Sequence, residues 1–303
     1  MADIPTLGGI IPPVPTPFDA AGKLDLGGLQ RVLHALAPQV DGFLVLGSNG
    51  EAVYLAEDER REVLAAAREA IPRDKPMIAG TGGEATWLVA ERNRLAAEAG
   101  ADCVLVLPPF YYQGRMNDET LATHYEALAG SCSVPLLLYN VPANTTIGLS
   151  PALIERLAGH ENIHGLKDSS GNIVALTEIM RRVPEEFTVL TGNAPTLLPA
   201  LSLGARGGIL AVANVAPQAY GAILKHFQRG EIAEARALQL RTNPLALAVT
   251  ARYGVAGLKA AMRARGLPAG YPRAPLRDVS EAQGRELGAL LEGQGLARGD
   301  IRA

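Results

Sequence analysis

Residues 134–168 read VPLLLYNVPANTTIGLSPALIERLAGHENIHGLKD, and this stretch decides the fold. It opens on an apolar run, VPLLLYN (134–140), passes through a segment that ends as a helix at Gly159, and closes on IHGLKD (163–168). Continuous apolar runs of this length read as strands buried on both faces, the pattern of a parallel sheet. The alternation extends in both directions. Further runs lie at GGIIPPV (8–14), GFLVLG (42–47), PMIAG (76–80), DCVLVLP (102–108), FTVLTG (187–192) and GGILAV (207–212), so the starts fall 20 to 34 residues apart. Between the runs are helical patterns. Leu26, Leu29, Leu33 and Leu36 step by three or four, as do the adjacent Val63 and Leu64 to Ala67 and Ala67 to Ile71, and ATWLVAERNRLAAEAG (85–100) ends on a glycine suited to a C-cap.

Eight strands alternating with helices, each unit long enough for a right-handed crossover, predict an α/β fold, a (β/α)8 TIM barrel. An open doubly wound sheet is the competing reading, but no GxGxxG follows the first run. After the eighth run come helical stretches near 217–228, 231–265 with a break near Asn243–Pro244, and 280–294. The expected organisation is therefore a catalytic barrel over 1–228 and a C-terminal helical extension over 229–303, packed on it.

Composition narrows the function classes. The net charge is −3, and the 23 arginines and 5 lysines are scattered without a basic run, so no field for nucleic acid or an anionic membrane is expected. The N-terminus, MADIPTLGGIIPPVPTPF, lacks a signal-peptide pattern, and no apolar run approaches the ~20 residues that span a bilayer. Two cysteines, Cys103 and Cys132, are too few for a disulfide framework and read as reduced thiols. A cytoplasmic protein is expected.

Barrel enzymes work at the C-terminal ends of their strands. That rim collects Thr16, Ser48 and Asn49, Tyr111 and Tyr112, Tyr139 and Asn140, Lys167 and Ser169, and Gly192 and Asn193. A lysine among hydroxyls, with no carboxylate cluster, suits carbonyl chemistry better than hydrolysis. Of the five lysines, Lys23 and Lys75 lie in polar turns, and Lys225 and Lys259 fall in helical patterns, where a solvated face is expected. Lys167 alone follows an apolar strand at the rim. Strand alternation sets Gly165, Lys167 and Ser169 on one face and Leu166 and Asp168 on the other. Loss of solvation at that depth favours the neutral amine, the form that attacks a ketone. The same position also suits a lysine in a structural ion pair. Tyr139 faces the same pocket and could shuttle a proton, or simply pack with its hydroxyl capped. GSNGE (47–51) could cradle a carboxylate on its amides and the Ser48 hydroxyl, or be an ordinary βα connection.

Three motifs point elsewhere and are discounted. HENIH (160–164) matches HExxH, but its histidines straddle a helix-to-strand turn, so no metal site is expected. Asn144-Thr145-Thr146 fits a glycosylation acceptor but has no secretion signal to make it relevant. LGARGG (203–208) precedes the eighth strand at the non-catalytic end and reads as a tight turn.

GSNGE after strand two, YNVPANT (139–145) after strand five and GLKDSSGN (165–172) after strand six resemble, in order and spacing, the pyruvate-dependent class I aldolases typified by dihydrodipicolinate synthase and N-acetylneuraminate lyase. The resemblance runs from about residue 8 to residue 292. It implies a Schiff base on Lys167, no metal or other cofactor, and Tyr139 as proton shuttle. Ser48 would link Tyr139 to a second tyrosine, matching Tyr111 with Tyr112 adjacent, donated across a tight dimer interface in a dimer of dimers. Ser48 and Asn49 match the pair that binds the pyruvate carboxylate, and Ser169, Gly192 and Ile209 line the same site. Dihydrodipicolinate synthases carry an arginine one residue after YNVP, where it holds the aldehyde partner's carboxylate; here that position is Asn144. A neutral amide does not replace a bidentate guanidinium. YNVPANT, YYQGRM (111–116), VTARYGVAGLKAAM (249–262) and RAPL (273–276) look closest to 4-hydroxy-2-oxoglutarate aldolases, with Arg115 as the candidate reader of a distal carboxylate. The expected partners are a 2-oxo acid and an aldehyde such as glyoxylate. A synthase, a 2-keto-3-deoxy sugar acid aldolase or dehydratase, and a catalytically silent oxo-acid-binding barrel are the alternatives.

Overall fold

The computed structural model describes residues 7–296; positions 1–6 and 297–303, which the expected organisation included, lie outside the described residues. The eight strands are β1 (Gly9–Ile11), β2 (Phe43–Val45), β3 (Met77–Gly80), β4 (Cys103–Val106), β5 (Leu136–Asn140), β6 (Ile163–Asp168), β7 (Thr188–Thr191) and β8 (Gly207–Ile209). Each lies inside an apolar run picked out above. All pair in parallel, in the order β1-β8-β7-β6-β5-β4-β3-β2. The ring closes just past β1, where Val14 N donates to Leu44 O at 2.9 Å and Leu44 N donates to Pro12 O at 3.1 Å. β1 is short because Pro12 and Pro13 have no N–H to extend its ladder. β1 and β8 approach too closely for side chains: a Cβ on Gly207 would sit 2.0 Å from Gly9 O. The chain is thus a (β/α)8 barrel with additional C-terminal helices.

The helices that follow the strands are α1 (Leu26–Leu36), α2 (Glu57–Ala70), α3 (Thr86–Glu98), α4 (Asp118–Ser131), the single turn α5 (Pro142–Thr145), α6 (Pro151–Ala158), α7 (Ile173–Arg182), α8 (Leu197–Ser202) and α9 (Pro217–Gln228). Local chemistry starts them. Asp25 accepts from Gly28 N at the head of α1, and Glu57, Asp58 and Glu59 crowd the first turn of α2, where the helix dipole favours negative charge. One apolar set, including Ile11, Leu44, Ile78, Leu105, Leu137, Leu190 and Ile209, fills the barrel interior. A larger set lies between the sheet and the helices. The interior is therefore packed below and open only at the rim.

The C-terminal helices are α10 (Ile232–Leu247), α11 (Gly254–Ala264) and α12 (Glu281–Gly293). The expected break near Asn243–Pro244 is not there: Pro244 lies inside α10. One proline removes a single backbone bond, and tertiary packing of the buried Thr242, Leu245 and Ala246 holds the helix through it. The interruption comes later, as a π-turn over Ala248–Arg252 followed by Gly254 at φ 55°. No helix among the described residues is long and apolar enough to cross a membrane.

Candidate active site

Adjacent strands bring the central pair together. In the β5–β6 register Tyr139 stands beside Lys167, and both point into the top of the barrel. Lys167 is only 4% exposed, with its Nζ 4.1 Å from the centre of the Tyr139 ring. Asp168, one residue on, faces the opposite way. Its carboxylate accepts from Asn140 Nδ2 at 2.7 Å and from Ser170 Oγ at 2.8 Å, so it is occupied away from the amine. Burial pushes its carboxyl above the usual range, against those two hydrogen bonds.

The Tyr139 hydroxyl meets Ser48 Oγ at 3.4 Å, a long hydrogen bond. Burial alone would raise the phenol's pKa. The Lys167 charge and hydrogen bonding with Ser48, Lys167 and Ser169 outweigh it, leaving the phenol below its ordinary value. A phenol so placed gives up its proton more readily than a free tyrosine.

A cavity of about 490 Å³ opens above these groups. Ser48, Asn49, Asn144, Lys167, Ser169, Gly192 and Ile209 all line it, so the structure gathers these expected positions in one place. Gly192 is required sterically: a Cβ there would lie 1.8 Å from Ser169 Oγ and 3.0 Å from Lys167 Cε. Among the described lining residues Lys167 is the only charged side chain. The other polar lining groups are the hydroxyls of Ser48, Tyr139, Ser169 and Thr250 and the amides of Asn49, Asn144 and Asn193. A second cavity of about 450 Å³ shares Ser48, Tyr139, Asn144 and Val255 with the first and is lined also by Arg60 and Glu51. Burial, helped by nearby Arg92, pulls Arg60 down to about 10 despite Glu57.

Other expected residues lie elsewhere in the single chain. Tyr111 and Tyr112 are 74% and 70% exposed on the segment after β4, and Arg115 is exposed beside them, lining neither cavity. Thr16 is buried and donates to Gly50 O at 2.7 Å instead of facing the cavity. Lys259 corrects the sequence reading most sharply. It is not on a solvated face but fully buried, 2.5 Å from Glu51. Sequence reasoning also missed Leu247, Thr250, Gly254 and Val255, which roof the cavity from the C-terminal helices. Thr250, Gly254 and Val255 lie in the stretch 249–262 already noted for its family likeness, but their place over the cavity exists only once those helices dock. His160 follows α6 and His164 lies in β6, and among the described residues no cluster of three His, Cys, Asp or Glu could hold a metal ion.

Comparison with known proteins places the chain in a family. The model of the dihydrodipicolinate synthetase family matches residues 6–294. The chain belongs to that family. Its members are pyruvate-dependent class I aldolase-type lyases and synthases that form a lysine Schiff base with pyruvate and use no external cofactor. A 4-hydroxy-tetrahydrodipicolinate synthase of Archaeoglobus fulgidus is 35% identical over 288 residues, 94% of this chain and 97% of the relative. A candidate dihydrodipicolinate synthase of Thermus thermophilus superposes with TM-score 0.86 at 45% identity, covering 95% of this chain and 99% of that one. A prophage protein of Escherichia coli K12 from the same family, solved in complex with pyruvate, superposes with TM-score 0.91 at 32% identity, over 96% of this chain and all of that one.

Proposed function

We propose that Lys167 forms a Schiff base with pyruvate, or with a 2-oxo acid containing it, and that the site makes or breaks the C3–C4 bond to an aldehyde. The observation that carries this reading is the buried Lys167 amine over the Tyr139 ring, with Ser48 against the phenol. In cleavage, Lys167 attacks the C2 carbonyl and water leaves, giving an iminium. That cation draws in the electrons of the C3–C4 bond while Tyr139 takes the proton of the C4 hydroxyl, and the aldehyde departs. The remaining enamine is protonated at C3 and hydrolysed, releasing pyruvate and the free amine. Condensation is the reverse. Ser48 and Asn49 hold the pyruvate carboxylate, and Ser169, Gly192 and Ile209 shape its pocket. Borohydride reduction with pyruvate should add the reduced adduct to Lys167; an equal adduct on a Lys167→Ala variant would overturn the reading.

Two finer activities compete. Dihydrodipicolinate synthase activity has the broader support, because the family bears that name and the Archaeoglobus fulgidus relative is a 4-hydroxy-tetrahydrodipicolinate synthase. Cleavage of 4-hydroxy-2-oxoglutarate to pyruvate and glyoxylate is supported by Asn144, a neutral amide in place of the synthases' arginine, and by the likeness of YNVPANT and YYQGRM to such aldolases. A coupled pyruvate-release assay over a panel of 4-hydroxy-2-oxo acids separates them: no release from the glutarate substrate excludes the cleavage reading.

The protein also acts as a homo-oligomer, a dimer of dimers, in the cytoplasm. Val53, Trp87, Tyr111 and Tyr112 expose 70–75% of their surface on segments after the neighbouring strands β2, β3 and β4, which favours a covered face there. Tyr111 of one protomer would extend the Ser48–Tyr139 chain of its partner, and Arg115 would arrive with it. An unchanged KM for a dicarboxylic substrate in Arg115→Ala would remove Arg115 from the site.

A further inference from the structure

Resting on that reading, we propose that Glu51 and Lys259 are positioning residues: a buried ion pair through which the C-terminal helices hold the Ser48–Asn49 turn in its pyruvate-binding geometry. Ser48–Gly50 form one tight turn, and Glu51 ends it in the left-handed conformation, φ 52°, ψ 34°. A side chain rarely adopts that backbone unless its surroundings hold it there. Glu51 N donates back to Ser48 O at 3.1 Å, so the turn and Glu51 move together.

The surroundings are specific. Glu51 is 2% exposed, and both its carboxylate oxygens are used: Oε1 accepts from Lys259 Nζ at 2.5 Å and Oε2 from Arg273 N at 2.8 Å. Lys259 donates its other two hydrogens to Thr16 O and Tyr271 O, each at 2.7 Å, and lies 4.5 Å from the centre of the Phe18 ring. Thr16 in turn donates from its hydroxyl to Gly50 O at 2.7 Å. The turn is thus fastened at Gly50 and at Glu51, by groups from the segment after β1 and from the C-terminal helices. Lys259 lies one helical turn past Val255 on α11, and Val255 lines the catalytic cavity. One helix therefore roofs the cavity and locks the carboxylate-binding turn beneath it. A buried pair with every donor and acceptor used has a definite geometry, which suits it to hold a position.

The test is the pyruvate concentration that half-labels Lys167 in the borohydride experiment, which needs no knowledge of the aldehyde. Glu51→Gln, nearly isosteric, and Lys259→Met should each raise that concentration about tenfold or more, with full labelling still reached at saturation. The double variant should shift no further than the larger single, since both break one lock. Thr16→Val, which removes only the Gly50 fastening, should move the value less and in the same direction. Leu287→Ala, which loosens α12 away from the turn, is the control for general destabilisation. A half-labelling concentration within about twofold of wild type in folded Glu51→Gln, or an equal shift in Leu287→Ala, overturns the proposal. Absence of label on wild-type Lys167 overturns the underlying Schiff-base reading and this proposal with it.

Discussion

Tyr139 and Lys167 carry the proposed chemistry on single side chains. Tyr139 is held between an amine and two hydroxyls, and its phenol titrates below its usual range because the Lys167 charge and those hydrogen bonds outweigh its burial. Replacing it with phenylalanine keeps the packing but removes the hydroxyl proposed to carry the proton. Tyr139→Phe should lower the turnover rate by about 10²- to 10⁴-fold while borohydride still traps pyruvate on Lys167, measured on the same preparation. Gly192 sets the opposite kind of limit. Because its missing Cβ is what leaves room for Ser169 Oγ and Lys167 Cε, Gly192→Ala should fold yet fail to trap pyruvate; normal trapping would show that the strand end has slack. At this scale the sequence was informative where an unusual residue type met a definite strand position. Lys167 stood out as the one lysine following an apolar strand, and alternation separated it from Asp168. It misled at Lys259, where a helical pattern suggested a wet face and the carboxylate that draws the amine inward lies 208 residues away.

Helices α3 and α4 contribute a property that no strand-end motif announces. His124 on α4 is buried, its Nδ1 is 2.8 Å from Thr86 Oγ1 at the start of α3, and its Nε2 has no hydrogen-bond partner among the described residues. Burial pulls its pKa from 6.5 down to about 4. The unfolded chain therefore binds more protons than the folded one between those values. Stability present above pH 6.5 is lost as the pH falls toward about 4, by about 3 kcal/mol at most. Urea midpoints across that range should fall with acid in wild type, and the slope should flatten in His124→Phe. An unchanged slope would assign the acid sensitivity to other groups. Elements were the most legible level in the sequence. Each apolar run contains its strand, since a strand buried on both faces leaves an uninterrupted apolar signature. The failure at Pro244 has an equally plain cause. A proline weighs locally against a helix, whereas α10 is held by what it packs against, and the real interruption at Ala248–Arg252 carries no proline.

For the whole molecule, the exposed aromatic face around Tyr111 leads to a prediction about assembly. If Tyr111 completes the partner's site, Lys167→Ala and Tyr111→Phe chains, each nearly inactive, should complement when mixed and refolded together. Random pairing makes half the dimers mixed, each with one complete site, so about a quarter of wild-type activity should return. No recovery in mixed dimers would mean that Tyr111 serves its own chain or none. The order of eight strands, the rim on which chemistry sits, and the identity of Lys167, Tyr139 and Ser48 were all open to reading from the sequence. The strands and the rim depend on local periodicity and on the rule that barrel sites form at the C-terminal strand ends; the roles proposed for the three residues come from the motifs' resemblance to the family, since the residues alone left each of them open. The docking of the C-terminal helices was not. Thr250 and Val255 roof the cavity, and Lys259 reaches Glu51, only because α11 packs across the barrel mouth. Periodicity records which face of an element is apolar; it does not record which distant segment that face will meet, and long-range contacts of this kind are what the tertiary structure alone decided.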